Sequence, residues 1–202
     1  MQTIPVQTIE KFKSTIRKGI AKSNLFHVEL PRIPGVNISG EDLNILCKNV
    51  QLPARSISTA DRVIGIVTEK VANTFVVDDI SLSFHVTNDY NIKRYIESWM
   101  NLAVNNDTYE LGYKYGNRED GSGYAKEVVI HQLAHINSET TYPINNPLVV
   151  PGGLSNPRSE KVYTCVLEGA FPTSMNNIEL QNDLDGLVEM SLSLTYTNWR
   201  SK

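Results

Sequence analysis

Two segments of this 202-residue chain alternate apolar and polar side chains so regularly that they predict β-strands. In residues 80–87 an aliphatic or aromatic side chain occupies every second position, and Ser, His or Thr fills the positions between. Residues 188–196 repeat the pattern. Because successive side chains of a strand point to opposite faces, each segment predicts a strand with one buried and one polar face. The apolar members are Ile80, Leu82, Phe84, Val86, Val188, Met190, Leu192, Leu194 and Tyr196.

Five further segments predict strands from their β-branched and aromatic content and from the prolines and glycines that bound them. One of them contains Gly65, a candidate bulge. Another ends at Pro53, which cannot donate a hydrogen bond to a central ladder. These segments are residues 25–30, 43–53, 62–71, 127–136 and 161–172.

A single helix is strongly predicted directly after the first alternating strand. Its apolar residues recur at helical spacing, and Asn88 or Asp89 is expected to cap its N-terminus. Its apolar positions are Ile92, Tyr95, Ile96, Trp99, Leu102 and Ala103. These elements together predict a mainly β fold, an antiparallel β-sandwich or barrel with one flanking α-helix, in a single domain spanning residues 1–202.

Two segments lie outside this pattern. Residues 1–22 place Ile9, Phe12, Ile16 and Ile20 on one helical stripe and carry five basic residues, which predicts an N-terminal helical arm. A membrane-surface helix has a similar pattern, but a solvated polar face on a packed or partner-seeking helix is the more common outcome. Residues 137–159 are rich in Pro and Gly and predict a surface insertion.

The composition gives no support for tight nucleic-acid binding. The chain carries 19 Lys and Arg against 22 Asp and Glu, a net charge of -3, whereas phosphate binding requires clustered cations. No stretch resembles a signal peptide or an apolar membrane span, so we expect cytoplasmic synthesis and no membrane insertion. Cys47 and Cys165 stand among strand-forming residues and are expected to be free, buried thiols.

Motifs of catalysis and of metal or cofactor binding are weak. His131 and His135 have the i, i+4 spacing of zinc hydrolases, but their surroundings predict a strand, on which the two rings would lie roughly 13 Å apart. Surface or interface histidines are the preferred interpretation. The stretch 182–186 resembles part of a calcium loop but lacks the closing Glu, so a turn is preferred. We therefore expect no enzyme activity, no metal and no cofactor.

Three segments, in this order, resemble the tail tube proteins of contractile-tailed bacteriophages. They are SNLFHVELP at residues 23–31, LCKNVQLPA at residues 46–54, and LEGAFPTSMNNIEL at residues 167–180. The first is similar to the family's first strand. The second is similar to a cysteine-lysine strand that leads to a Leu-Pro corner, and the third to a Gly-x-aromatic-Pro-Thr turn. The helix and the final strand also occur in the expected order, so the resemblance spans roughly residues 23–199.

The resemblance implies a structural subunit of stacked hexameric rings, whose strands join into one shared barrel around a hollow tube. The hairpin around residues 51–61 would reach the adjacent ring, and the N-terminal arm and the helix would clamp neighbours. Aromatic and Arg residues near element ends, including Tyr95 and Trp99, are of types enriched in interfaces, and core aromatics with solvated arginines are the alternative that stays open. The expected self-assembly residues are Leu52, Pro53, Ala54, Arg55, Arg62, Trp199 and Arg200, and the expected lumen-facing residues are Glu69 and Glu127.

The implied partners are copies of the chain itself, the tail sheath protein, baseplate and tail-terminator proteins, and genomic DNA that passes without specific binding. The implied location is the virion tail, after assembly in the host cytoplasm. Two alternatives stay open within the tube class: a tube-initiator or baseplate tube protein, and a tailocin or secretion-type tube. From another class, a monomeric carbohydrate-binding β-sandwich would need exposed aromatics, for which residues 113–116 are the candidate.

Overall fold

The computed structural model describes residue 11 and residues 21–116, 123–136, 158–178, 180 and 186–202. Residues 27–131 and 163–202 form one compact unit, and residues 1–26 and 132–162 form another; each is described by itself. The fold is mainly β and antiparallel, as predicted, and the described residues contain a second helix besides the strongly predicted one. The helical arm at residues 1–22 and the insertion at residues 137–159 lie almost wholly outside the described residues, as does the stretch 182–185, and the single domain stays a prediction.

The described residues form two helices and nine strands. The helices are α1 (Gly40–Leu46) and α2 (Asn91–Ala103). The strands are β1 (Phe26–Glu29), β2 (Cys47–Val50), β3 (Arg55–Ile64), β4 (Val67–Val77), β5 (Ile80–His85), β6 (Lys126–Ile136), β7 (Arg158–Met175), β8 (Glu189–Thr195) and β9 (Asn198–Ser201).

The two alternating segments form adjacent antiparallel strands at the centre of the larger unit. β5 pairs with β8 in an unbroken register from Ile80 opposite Leu194 to His85 opposite Glu189. The apolar members of both strands are buried, and Leu82 faces Leu192 across the pair. This confirms the predicted buried and polar faces. The sheet order is β1-β6-β7-β8-β5-β2, and β9 pairs with β7 off this path.

Strand β7 changes partner at Gly169. Residues 165–168 pair with β9, whereas residues 171–175 pair with β8. Gly169 has φ +64°, and a Cβ there would lie 2.8 Å from the Thr197 hydroxyl, so only glycine fits the bend. The prediction that this strand ends at Pro172 in a turn is wrong: Pro172 lies within β7 beside a register irregularity, where the missing N–H is tolerated.

Helix α2 packs a continuous apolar face into the core, as its spacing predicts. Ile92, Ile96 and Trp99 are fully buried. The Trp99 indole N–H donates to the Tyr124 carbonyl at 2.8 Å, and the Tyr95 hydroxyl donates to the Pro31 carbonyl at 2.6 Å. Both aromatics, named as interface types from the sequence, are therefore core residues with satisfied polar ends.

The predicted cap of α2 is wrong, because the capping position is Tyr90, in the left-handed conformation with φ 53° and without a side-chain cap. Asp89, one residue earlier, accepts hydrogen bonds from the Thr87 hydroxyl, from the Asn91 side chain and, at 3.4 Å, from the Asn91 backbone N–H. The Thr87 hydroxyl is the main cause of a lowered pKa for the Asp89 carboxyl. The sequence placed an Asx residue at the helix start correctly but shifted its role by one position.

The strand predicted at residues 43–53 is wrong in its first half, which forms helix α1. The Ser39 hydroxyl accepts the Asp42 N–H at 3.1 Å, and Glu41 and Asp42 occupy the first turn. A side-chain N-cap followed by acidic residues satisfies the free N–H groups of a helix start. Of the apolar residues in the run, Leu43 is buried and Ile45 is exposed, so one side of a short helix replaces one face of a strand.

In the smaller unit, the Leu133 N–H donates to the Leu25 carbonyl at 2.9 Å. The Gln132 side-chain amide donates to the carbonyls of Lys22 and Leu25. Among the described helices, none combines the length and the apolar character needed to cross a membrane.

Candidate self-assembly surface

The most unusual feature of the larger unit is a long β-hairpin formed by β3 and β4. The strands pair from Arg55 opposite Val77 to Ile64 opposite Val67, and Gly65 and Ile66 make the connecting turn. Gly65 has φ +64°, as the first central position of a type II′ hairpin turn requires. The single strand predicted at residues 62–71 with a bulge at Gly65 is therefore wrong: the chain reverses there.

The hairpin buries almost nothing against its own chain. All 10 residues of β3 are exposed, and so are most residues of β4. An isolated two-stranded hairpin is at best marginally stable in water. The exposed large apolar side chains are Ile57, Val63, Ile64, Ile66, Val67, Phe75 and Val76, with exposed fractions from 47% to 103%.

Both faces of the hairpin carry exposed apolar residues. Residues directly opposite each other in an antiparallel pair share a face, so Ile57 lies beside Phe75 and Ile64 beside Val67. The two pairs fall on opposite faces. Asn73 is an extra residue in β4 that has no register partner in β3. This β-bulge separates two stretches of regular pairing. A ribbon with apolar residues on both faces requires two covering surfaces.

Charged residues in the middle of the hairpin lie opposite residues of the other sign. Asp61 is the register partner of Lys70, and Arg62 is the register partner of Glu69. Arg62, expected in the subunit interface, and Glu69, expected in the lumen, therefore share one face of the hairpin. The sequence-based assignments of the two residues stay predictions, and the structure links them: one face carries both.

The root of the hairpin is held by Arg55. Its guanidinium lies 5.0 Å from the Phe75 ring centroid and 5.1 Å from that of Trp199. It also donates to the Asn198 side-chain oxygen at 3.1 Å and contacts the Trp199 carbonyl at 3.4 Å. Two residues expected at the interface, Arg55 and Trp199, are thus neighbours, and they join the hairpin to strand β9.

The other predicted site residues lie near this root or on the sheet. Leu52, Pro53 and Ala54 connect β2 to β3, and Leu52 is half exposed. Arg200 in β9 forms an ion pair with Glu168 across the β7–β9 pair. Glu127 is exposed on β6 beside the buried Val128. Sequence reasoning missed the apolar hairpin residues themselves, although two runs of β-branched residues around Gly65 were a usable signal.

His131 is buried rather than on the surface or at an interface, which corrects the prediction. Its Nδ1 lies 2.8 Å from the Thr164 hydroxyl, and its Nε2 lies 2.9 Å from a Glu29 carboxylate oxygen. The His27 ring stacks on it at 5.9 Å. These side chains come from β1, β6 and β7, three adjacent strands. In the described part of the chain, no group of three His, Cys, Asp or Glu residues could hold a metal ion.

Cys47 and Cys165 are free and buried, as predicted. Burial raises the pKa of each thiol to about 11, so neither has the thiolate character of a nucleophile. The exposed carboxyl of Glu189 has a lowered pKa, chiefly because the Lys48 ammonium binds it, and this is an ordinary surface ion pair.

Comparison with known proteins decides the family. The family model described as phage tail tube protein matches residues 20–202. This chain belongs to the phage tail tube protein family. Tail tube proteins are structural, so membership establishes a non-enzymatic component of a phage tail.

Solved structures of tail tube type share the fold at low sequence identity. A chain of the extended sheath-tube complex of the extracellular contractile injection system PVC aligns with a TM-score of 0.57 and 15% identity, covering 94% of this chain and 96% of that one. A chain of the anti-feeding prophage baseplate gives 0.53 and 15%, covering 91% and 95%. The tube-terminating cap of the same prophage gives 0.55 and 12%, covering 91% of both chains. No curated protein sequence matches this tail tube protein.

Proposed function

We propose that this tail tube protein is the repeating subunit of the tube, in which hexameric rings stack into a hollow conduit inside a contractile sheath. The observation that carries the proposal is the β3–β4 hairpin, whose two faces both expose apolar residues and have no cover in their own chain. A head-to-tail contact between copies covers such a surface, and in an open tube it repeats without limit.

The proposed partners follow from the same arrangement. Neighbouring copies cover the hairpin, the sheath surrounds the tube, and baseplate and terminator proteins close its two ends. The similar folds in a sheath-tube complex, a baseplate and a tube cap support these partners. They equally fit the alternatives of an initiator or terminator subunit and of a tailocin or secretion-type tube, which differ in copy number and in whether the particle holds DNA.

The proposed cargo is genomic DNA that moves through the lumen without being held. A neutral or acidic wall avoids the counterion release that drives phosphate binding. Glu127, exposed on β6, is the stronger candidate for the wall because Glu69 faces Arg62 in the hairpin register. Particles carrying Glu127→Lys should eject DNA more slowly than Glu127→Gln particles at low salt. Equal rates for the two variants would remove Glu127 from the wall.

Negative-stain electron microscopy of the purified protein, concentrated and with or without baseplates as seeds, tests the assembly. Rings or hollow tubes with six-fold end views are expected. A triple variant of the hairpin tip, Ile64→Ser, Ile66→Ser and Val67→Ser, should abolish them. A control variant with Leu180→Ser and Leu187→Ser removes equally exposed apolar residues elsewhere and should assemble normally.

A strictly monomeric particle, even when seeded, would contradict the tube proposal. That result would favour the alternative of a monomeric carbohydrate-binding module, for which the tyrosines at residues 113–116 are the candidate surface. Binding of a glycan array by the monomer, lost on Tyr113→Ala, would then be the deciding result.

A further inference from the structure

A second exposed apolar surface lies on the larger unit, directly after helix α2. We call Tyr109, Leu111, Tyr113 and Tyr115 the tyrosine stretch; their exposed fractions are 83%, 79%, 85% and 64%. Val104, also exposed, pairs with Leu111 in an isolated bridge and extends the surface. The remaining exposed large apolar residues of the described chain, outside the hairpin and its root, are separated from one another in sequence: Ile45, Val162, Leu180 and Leu187.

The backbone of the tyrosine stretch is fixed before anything binds to it. The Gly112 N–H donates to the Ala103 carbonyl and the Asn105 N–H to the Glu110 carbonyl, at 2.9 and 3.0 Å. A Cβ on Gly112 would lie 1.9 Å from the Leu102 carbonyl oxygen, so the chain passes the end of α2 too closely for any other residue. An ordered surface loses little conformational entropy on binding.

Tyr109 closes the turn that leads into the tyrosine stretch, because its N–H donates to the Asn105 carbonyl at 2.9 Å. It has φ 58°, a left-handed conformation that costs a non-glycine residue about 1–2 kcal/mol. Its side chain is exposed, so burial of the ring does not offset that cost. The Asn105 side chain, which accepts the N–H groups of Asp107 and Thr108, holds the turn in place.

We propose that the tyrosine stretch of one copy is the surface that receives the β3–β4 hairpin tip of another copy. The inference rests on the proposed self-assembly and names the receiving side of the contact. A head-to-tail interface needs two complementary surfaces on the same chain. The hairpin tip, with Ile64, Ile66 and Val67, is one; the tyrosine stretch is the clustered apolar surface left for the other.

Area and chemistry fit this pairing. Three exposed tyrosines and a leucine offer roughly 500 Å², most of the about 800 Å² per partner that a standard interface buries. Aromatic side chains pack well against β-branched ones, and tyrosine hydroxyls can stay at the wet rim of the contact. The hairpin adds no net charge to the contact, because Asp61 and Glu69 lie opposite Lys70 and Arg62.

Disulfide trapping tests the contact directly. A double variant, Ile66→Cys with Tyr113→Cys, should give a ladder of covalent dimers, trimers and higher species on a non-reducing gel after mild oxidation. Each single variant should give dimers at most. The native Cys47 and Cys165 are buried and should form no intermolecular disulfide. The matched control, Ile66→Cys with Leu187→Cys, presents two equally exposed thiols and should give no ladder.

Sedimentation of the same preparations separates this inference from the proposed function. An oligomer without a ladder in the Tyr113→Cys pair overturns the receiving role of the tyrosine stretch and leaves tube assembly standing. A protein that stays monomeric at every concentration, with or without seeds, overturns both.

A set of three single variants gives an independent measurement of the same contact. Tyr113→Glu should raise the concentration needed for assembly at least tenfold, whereas Tyr113→Phe and the control Leu187→Glu should leave it within twofold of the parent. An unchanged assembly concentration for Tyr113→Glu overturns the proposal. The thermal unfolding midpoints of all three should match the parent, because both positions are exposed.

Discussion

The β5–β8 pair and the β3–β4 hairpin are both antiparallel ribbons, yet the first buries its apolar side chains and the second exposes them. β5 and β8 bury one face completely and leave their Ser side chains half-buried on the other. The hairpin leaves apolar residues exposed on both faces, and no helix or sheet among the described residues covers either face. The first ribbon is stabilised by its own chain. The second gains no comparable stability from the described residues, which fits the proposed role of a subunit that folds first and assembles afterwards.

The largest difference should appear when the same substitution is made in both ribbons. Ile80→Ala, in β5, removes a side chain that is 3% exposed and should cost about 2–5 kcal/mol of unfolding free energy. Ile57→Ala, in the hairpin, removes one that is 65% exposed and should change it by less than about 0.5 kcal/mol. Urea unfolding at concentrations below assembly measures both. Equal losses would show that the hairpin is buried in the free subunit.

The rate of reaction with a thiol reagent should differ by about two orders of magnitude between buried cysteines of the core and a cysteine in the exposed hairpin. A pKa raised from 9.0 to about 11 leaves about a hundredfold less thiolate at pH 8, so Cys47 and Cys165 should react very slowly with a disulfide reagent in the folded protein. A cysteine introduced by Ala60→Cys in the exposed hairpin should react at the rate of a free thiol. Both native thiols should become reactive on unfolding. Rapid native reaction of either would contradict their burial.

The sequence predicted the first ribbon well and the second poorly, for a local reason. Alternation within β5 and β8 is visible residue by residue, because one face meets the core and the other meets water. The hairpin turns at Gly65 and Ile66, and an isoleucine at a turn looks like the middle of a strand. The apolar residues on both of its faces have their proposed partners in neighbouring copies, and a pattern set by a second copy is not visible in one sequence.

The errors elsewhere have the same origin. The apolar run at residues 43–46 fits a strand or a helix, and the Ser39 cap decides for the helix. β9 is short, and its place beside β7 depends on the bend at Gly169. Arg55 and Trp199 were named from residue type and their role in assembly stays a prediction, whereas their mutual contact and the hairpin they anchor depend on tertiary structure.

A smaller effect is expected at the start of α1, where the sequence misjudged the element. Ser39→Ala removes the acceptor for the Asp42 N–H and should cost about 1 kcal/mol. Ser39→Asp should restore the loss, since an aspartate caps equally well and favours the positive end of the helix. Ser58→Ala, in the exposed hairpin, is the matched control and should be neutral within about 0.5 kcal/mol. Thermal or urea unfolding distinguishes these outcomes, and failure of Asp to rescue would mean that the cap is not what stabilises α1.

The smallest effect on stability, and the most informative about the comparison, is expected at the hairpin root. Arg55→Ala removes the two ring contacts and the hydrogen bond to Asn198, but the site is exposed, so the cost should be about 0.5–1 kcal/mol. The larger consequence is orientation: without Arg55, the hairpin loses its side-chain attachment to β9. Limited proteolysis of the dilute subunit should cut the hairpin faster in Arg55→Ala than in the matched control Arg62→Ala, which changes an arginine of the same strand away from the root.

Arg55→Lys separates charge from shape in this prediction. A lysine keeps the positive charge but lacks the planar guanidinium that contacts both rings and donates to Asn198, so it should rescue protease resistance only in part. If Arg55→Ala and the parent are cut at the same rate, the hairpin is oriented by its backbone connections alone. Its direction toward a neighbouring copy would then be set on assembly rather than in the free subunit.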